Sequence, residues 1–152
     1  MLPLLLVPAA LQMLAMFFDE LVFHRARGLP RWERVGHPLD TLTAAACYAW
    51  LLRAPPEAPH ALAVYVALCA FSCLFITKDE FVHARLCAPT EAWLHGVLFV
   101  LHPIVFLAFG VIWRLKLAPW LIAVELGLTL ALLLQQVVYW RYFGREPIVA
   151  RK

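Results

Sequence analysis

The sequence predicts an all-α fold, an integral membrane bundle of five transmembrane helices, and three observations carry that expectation. Of 152 residues, 64% are apolar and 15% charged, and the mean hydropathy is +0.78; a soluble domain carries about 45–50% apolar and about 25% charged residues. Apolar stretches recur at the length of about 20 residues that a bilayer span requires. The connections between them hold only a few residues, so neighbouring helices should pack antiparallel and no soluble domain fits between them.

The first helix runs from about Leu2 to Arg25 and is apolar up to Phe18. It lacks the positive segment that opens a secretory signal, so it reads as a retained span. Gly28-Leu29-Pro30 forms the next turn, and the second helix runs from about Arg31 to Leu52, with Pro30 suited to its first turn. The third follows Ala54-Pro55-Pro56 and runs from about Pro59 to Leu86. The fourth follows Ala88-Pro89-Thr90, with Thr90 as its N-cap, and ends near Trp113; the fifth runs from about Pro119 to Tyr142. Residues 1–152 form one transmembrane domain.

Lysine and arginine placement predicts the orientation. With the N-terminus outside, the cytoplasmic side receives Arg25, Arg27, Arg31, Arg34, Lys78, Arg85, Arg141, Arg145, Arg151 and Lys152. The outer side receives only Arg53, Arg114 and Lys116, and the C-terminus is cytoplasmic. Trp32, Trp93 and Trp140 fall at the inner helix ends, and Trp50, Trp113 and Trp120 at the outer ends, as an aromatic belt requires. The four cysteines make no disulfide framework: Cys47, Cys69 and Cys73 lie in apolar stretches and Cys87 in a connection, where a free thiol packs as a small hydrophobe. Cys69 and Cys73 share a helix face, but nothing else soft is near them in sequence. No basic run with interleaved aromatics occurs, which excludes a nucleic-acid surface.

One spacing recurs inside this frame. An acid is followed four residues later by a histidine at Glu20-x3-His24, Glu33-x3-His37, Asp79-x3-His83 and Glu91-x3-His95. Positions i and i+4 share a helix face, so each motif presents a carboxylate beside an imidazole. Superimposing His24 on His83 aligns Glu20 with Asp79. A gap of one residue in the turn then aligns Glu33 with Glu91 and His37 with His95. The chain therefore reads as two parallel helical hairpins, about residues 1–53 and 57–114, plus an unpaired closing helix of about 117–143. Both hairpin turns fall on the cytoplasmic side, so all four motifs share one membrane depth.

Four unpaired carboxylates at the edge of a bilayer are costly, and two divalent cations cancel them. Bundles that hold two metals project Glu and Glu/His pairs inward from four helices, which makes these eight residues candidate ligands. Glu80, three residues before His83, competes with Asp79, although the repeat favours Asp79. Asp19 neighbours Glu20 but aligns with Lys78, which weakens its claim and leaves it, like Glu80, as a support or extra ligand. His102, two turns beyond His95, and Asp40, three beyond His37, are candidate extra ligands or supports. Thr41 and Thr43 suit bonds to backbone carbonyls, Glu125 suits either a pair with Arg114 or the lining of a path, and Gln135 and Gln136 fall at the motif depth and could face the site.

Mixed imidazole and carboxylate ligands suit iron, with zinc or manganese as alternatives, and disfavour copper(I). A ligand-rich centre at membrane depth, with no soluble domain, suits an oxidase, hydroxylase or desaturase acting on a lipid-like substrate that arrives through the bilayer. No flavin, haem or iron–sulfur motif is present, so electrons need an external redox partner. The His-x-x-His-His boxes of histidine-rich membrane hydroxylases and desaturases are absent. The alternatives are a zinc hydrolase with Glu80 or Asp40 as general base, a metal transporter or sensor, and a purely structural metal staple.

Overall fold

The computed structural model describes residues 2–144. Its long helices are α1 (Leu2–Arg27), α2 (Arg31–Arg53), α3 (Ala61–Leu86), α4 (Pro89–Arg114) and α5 (Pro119–Phe143). Four of them, α1, α3, α4 and α5, are long and apolar enough to cross a membrane. α2 is less apolar because it carries Arg31, Glu33, Arg34, Asp40 and Arg53; Glu33 is completely buried. Large apolar side chains cover the outside of the bundle, among them Leu14, Leu74, Val100, Leu107 and Leu134. A water-facing surface would not present so continuous an apolar belt. Arg145, Arg151 and Lys152, three of the residues behind the expected orientation, lie outside the described residues.

The breaks between helices have local causes. Gly28 takes φ 78° between α1 and α2, a backbone conformation that a side chain disfavours. Pro30 then stands just before the first residue of α2 with extended backbone. α4 begins on Pro89, whose missing N–H costs nothing there; Thr90 therefore falls inside the first turn and makes no side-chain cap. At the far end of the bundle the α2–α3 and α4–α5 connections are tied together. Trp113 Nε1 donates to the Ala54 carbonyl at 2.9 Å, and Arg114 donates to the Pro56 carbonyl at 3.0 Å. Lys116 donates to Glu57 at 2.6 Å, and that contact holds the exposed Glu57 carboxyl below its usual pKa.

Helix packing departs from simple hairpin pairing. The closest packing joins α2 to α5 and α1 to α4, with α2 against α3 next. Polar side chains of the motifs fill the space near the α1–α2 and α3–α4 turns. The apolar core lies in the opposite half of the bundle. Cys47, Tyr48, Leu51, Tyr65, Phe106, Phe109, Ile112 and Ile122 interlock in it. Gly110 lets the Tyr65 ring lie against α4, since a Cβ there would stand 3.0 Å from Tyr65 Cε1, and Tyr65 donates to the Phe106 carbonyl at 2.7 Å.

A candidate metal centre of four imidazoles

Two local changes of winding set the site. In α1 the residues Asp19–His24 form a π-helical turn. That turn widens the helix by one residue, so Asp19 and Glu20 both reach His24, which an α-helix would permit to only one of them. His24 Nδ1 lies 3.1 Å from Glu20 Oε2, and His24 Nε2 lies 3.2 Å from Asp19 Oδ2. At the matching place in α3, Ile76–Asp79 tightens to a 3₁₀ turn. Asp79 turns inward and is buried, whereas Glu80 is exposed on the outside of the helix. Gly36 on α2 makes room for this: a Cβ there would meet the two Asp79 carboxylate oxygens at 3.1 and 3.2 Å.

The four motif histidines come together as a closed ring. Ring centroids are 4.7 Å apart for His24–His37, 6.1 Å for His37–His83, 4.1 Å for His83–His95 and 6.1 Å for His95–His24. Carboxylates surround the ring. Asp19 reaches His95 Nε2 at 3.1 Å as well as His24. Glu33 Oε1 lies 3.5 Å from His83 Nε2, and Asp79 Oδ2 lies 3.8 Å from His37 Nε2.

Two cations join the cluster. Arg27 Nε donates to Glu91 Oε1 at 3.0 Å, and its terminal nitrogen donates to Glu33 Oε2 at 2.9 Å. Lys78 Nζ donates to both Asp40 oxygens at 2.7 Å and to Asp79 at 2.8 Å. Trp140, on α5, is buried and donates its indole N–H to Glu20. It and Trp113 thus face inward, whereas Trp32, Trp93 and Trp120 are exposed.

Among the described residues, several buried atoms of the cluster make no hydrogen bond: His24 Nε2 and Glu33 Oε1, which have only ion-pair contacts with Asp19 and His83, and Asp79 Oδ1, both nitrogens of His83 and His95 Nδ1. Buried polar atoms are almost always partnered, so a concentration of orphans at one point calls for an explanation such as an ion. Two separate sets of donor atoms have the shape to hold one. Asp19, His24, Glu91 and His95 converge from α1 and α4, and Glu33, His37 and His83 from α2 and α3, with the donor atoms of each set within 4.8 Å of one another. Ligands about 2.0–2.2 Å from a common ion stand about 3–4 Å apart, so small side-chain rotations close either set. Glu20, His24 and His37 form a third grouping between the two.

A cavity of about 130 Å³ opens from the ring toward the middle of the bundle. His102, Glu125, Thr129 and Gln136 also line it. Thr41 Oγ1 lies 2.8 Å from Gln136 Oε1 and 3.0 Å from the His37 carbonyl oxygen, and its one proton is shared between them. Arg114 is engaged with the Pro56 carbonyl at the opposite end and forms no ion pair with Glu125 among the described residues.

All eight motif residues therefore meet at one place, and Asp19 meets them too. Arg27 and Trp140 were not legible as site residues, because nothing in spacing distinguishes them from an interfacial arginine and a belt tryptophan. Cys87 was read only as a packed thiol, yet its sulfur lies within 4.8 Å of donor atoms of His83 and His95. The short α3–α4 connection, seen beside two histidines, was the available signal. Comparison with known protein families, with curated proteins and with solved structures finds no match, so the candidate metal centre rests on its own geometry.

Proposed function

We propose that the chain is an integral membrane oxidoreductase that holds two divalent metal ions, iron by preference, and acts on a lipid-like substrate with electrons from an external redox partner. The observation that carries this reading is the closed ring of four imidazoles, three buried and His37 nearly so, with unpartnered donor atoms on His24, His83 and His95 among the described residues, flanked by two separate ligand sets. Charge agrees with it. Asp19, Glu20, Glu33, Asp40, Asp79 and Glu91 carry six negative charges when ionised, and Arg27 and Lys78 cancel two. The remaining four equal the charge of two divalent cations. The two sets also correspond under the repeat: Glu33, His37 and His83 of one match Glu91, His95 and His24 of the other.

Within such a centre the residues divide the work. The imidazoles and the free carboxylate oxygens bind. Arg27 fixes Glu33 and Glu91, and Trp140 fixes Glu20, so the ligand geometry is set before an ion arrives. A bound iron pair supplies one-electron chemistry with dioxygen. The cavity admits an apolar group beside the ring while the core beneath it excludes water. The lysine and arginine asymmetry supports a cytoplasmic location for this end.

The alternatives draw less support. Glu80 faces outward and Asp40 is held through both oxygens by Lys78, so neither is a free base for a hydrolase. Beyond the cavity, Phe109, Ile112 and Ile122 close the bundle, which disfavours a path for ions. Mössbauer spectroscopy of protein purified from iron-57-grown cells tests the reading. Spin-coupled high-spin iron is expected, with dioxygen consumed on reduction. Protein that carries zinc alone in native membranes would contradict it.

A further inference from the structure

Two buried polar groups face the cavity that the metal reading does not use. The first is Gln12 on α1, and the direction of its hydrogen bonding follows from its neighbours. Thr43 Oγ1 donates to the Asp40 carbonyl at 2.7 Å, which commits its one proton. Ser72 Oγ, 2.8 Å away, must therefore donate to Thr43. With its own proton used, Ser72 accepts from His102 Nε2 at 3.0 Å. No carboxylate contacts His102 among the described residues, so it is neutral, and its Nδ1 accepts from the Gln12 amide nitrogen at 3.2 Å. The same nitrogen approaches Met16 Sδ at 3.9 Å. Both amide protons are thus committed, and Gln12 Oε1 is left buried without a hydrogen-bond partner among the described residues. The second group is Glu125, 8% exposed, whose carboxyl lies on the cavity wall with no hydrogen bond or ion pair among the described residues.

Most of the remaining wall surface is apolar, from Met13, Met16, Leu98, Phe99 and Leu132, with Thr41, Thr129 and Gln136 beside them. At about 130 Å³ the space is close to the cavity of about 150 Å³ that accepts a benzene ring in another protein. A purely apolar guest would leave Gln12 Oε1 unsatisfied, and a charged one would lose its hydration against apolar walls.

We infer that this cavity binds a small uncharged molecule, about the size of one six-membered ring, that carries a hydroxyl group. The ring lies against the methionine and phenylalanine side chains, and the hydroxyl donates to Gln12 Oε1, with Glu125 as the neighbouring polar wall. This deepens the proposed function and rests on it in one respect: because the cavity ends at the four imidazoles, its occupant stands where a substrate would.

Fluorine NMR titration of the intact chain in lipid nanodiscs tests the inference, with 4-fluorophenol compared with 4-fluorotoluene, which replaces the hydroxyl by a methyl group of similar size. Empty nanodiscs correct for partition into lipid. Saturable one-site binding of the phenol is expected, about tenfold tighter than the toluene, since one good hydrogen bond is worth about that factor. Gln12→Met should remove most of that preference while metal content stays unchanged. Absence of saturable binding, which would mean a water-filled cavity, or equal affinity for the two probes, would overturn the inference. So would a Gln12→Met protein that keeps the preference; should that variant not fold, the probe ratio in the unaltered protein decides alone. Metal content of the same samples separates the two claims. Phenol selectivity without metal removes the proposed function and leaves this site, and metal without selectivity does the reverse.

Discussion

Arg27 is the residue on which the charge arrangement of the site turns. Its guanidinium bridges Glu33 on α2 and Glu91 on α4, three segments tied by one side chain. Removing one member of a buried ion pair leaves the others charged and unpartnered, at a cost of about 3–5 kcal/mol. Arg27→Met should therefore lower stability by about that amount in detergent melts, whereas Arg31→Met, at an exposed position, should change it little. Trp140 acts on a smaller scale. Its indole N–H is the donor to Glu20, and Trp140→Phe keeps the ring but strands a buried carboxylate oxygen. A loss of about 1–3 kcal/mol is expected, together with weaker metal retention against a chelator titration. Unchanged retention would show that Glu20 is no part of the centre.

Among the elements, the π-helical turn of α1 decides which acids reach the ring. It adds one residue without disturbing the helix on either side, so removing one residue restores an α-helix with both flanks in register. Deletion of Val22, an exposed residue in that turn, should keep the helical circular dichroism and the melting transition. It should separate Asp19 and Glu20 from their present partners and reduce bound metal. Gly36 plays the matching part on α2. Gly36→Ala pushes a methyl group against Asp79 and Lys78, and lower metal stoichiometry with retained fold is the expected outcome.

These elements also show what could be read from the chain. The i, i+4 spacing places His24, His37, His83 and His95 together because imidazole faces follow helix periodicity, and the apolar lengths with their turn signals give five helices, of which four are apolar enough to cross a membrane. Asp19 ranks in the sequence only as a support or extra ligand behind Glu20, because the motif alignment assumes α-helical winding through residues 19–24, where the chain is a π turn. The choice of Asp79 over Glu80 followed from the repeat and agrees with the burial of Asp79. Trp140 escaped because a tryptophan at a helix end looks the same whether it faces lipid or a carboxylate. The pairing of α1 with α4 and of α2 with α5 was not legible, since connection length fixes direction and not which faces meet.

At the scale of the whole molecule, the bundle is divided in two. One half is an interlocked apolar core whose end connections are tied by Trp113 and Arg114. The other half is a polar chamber in which four helices meet around imidazoles, and α5 backs it with Gln136 and Trp140. The apolar half can hold the fold while the chamber carries atoms that lack partners. Bound metal should then stabilise the protein by mass action, by about 4 kcal/mol at a thousandfold excess over its dissociation constant. Chelation should lower the melting temperature without abolishing the helical fold. The most direct test of the central claim is the metal content of the purified chain by mass spectrometry, measured beside a variant with His24, His37, His83 and His95 all changed to Ala. Two metal ions per chain, lost in the variant, is the predicted result; no metal in the unaltered protein, or the same amount in both, would contradict it.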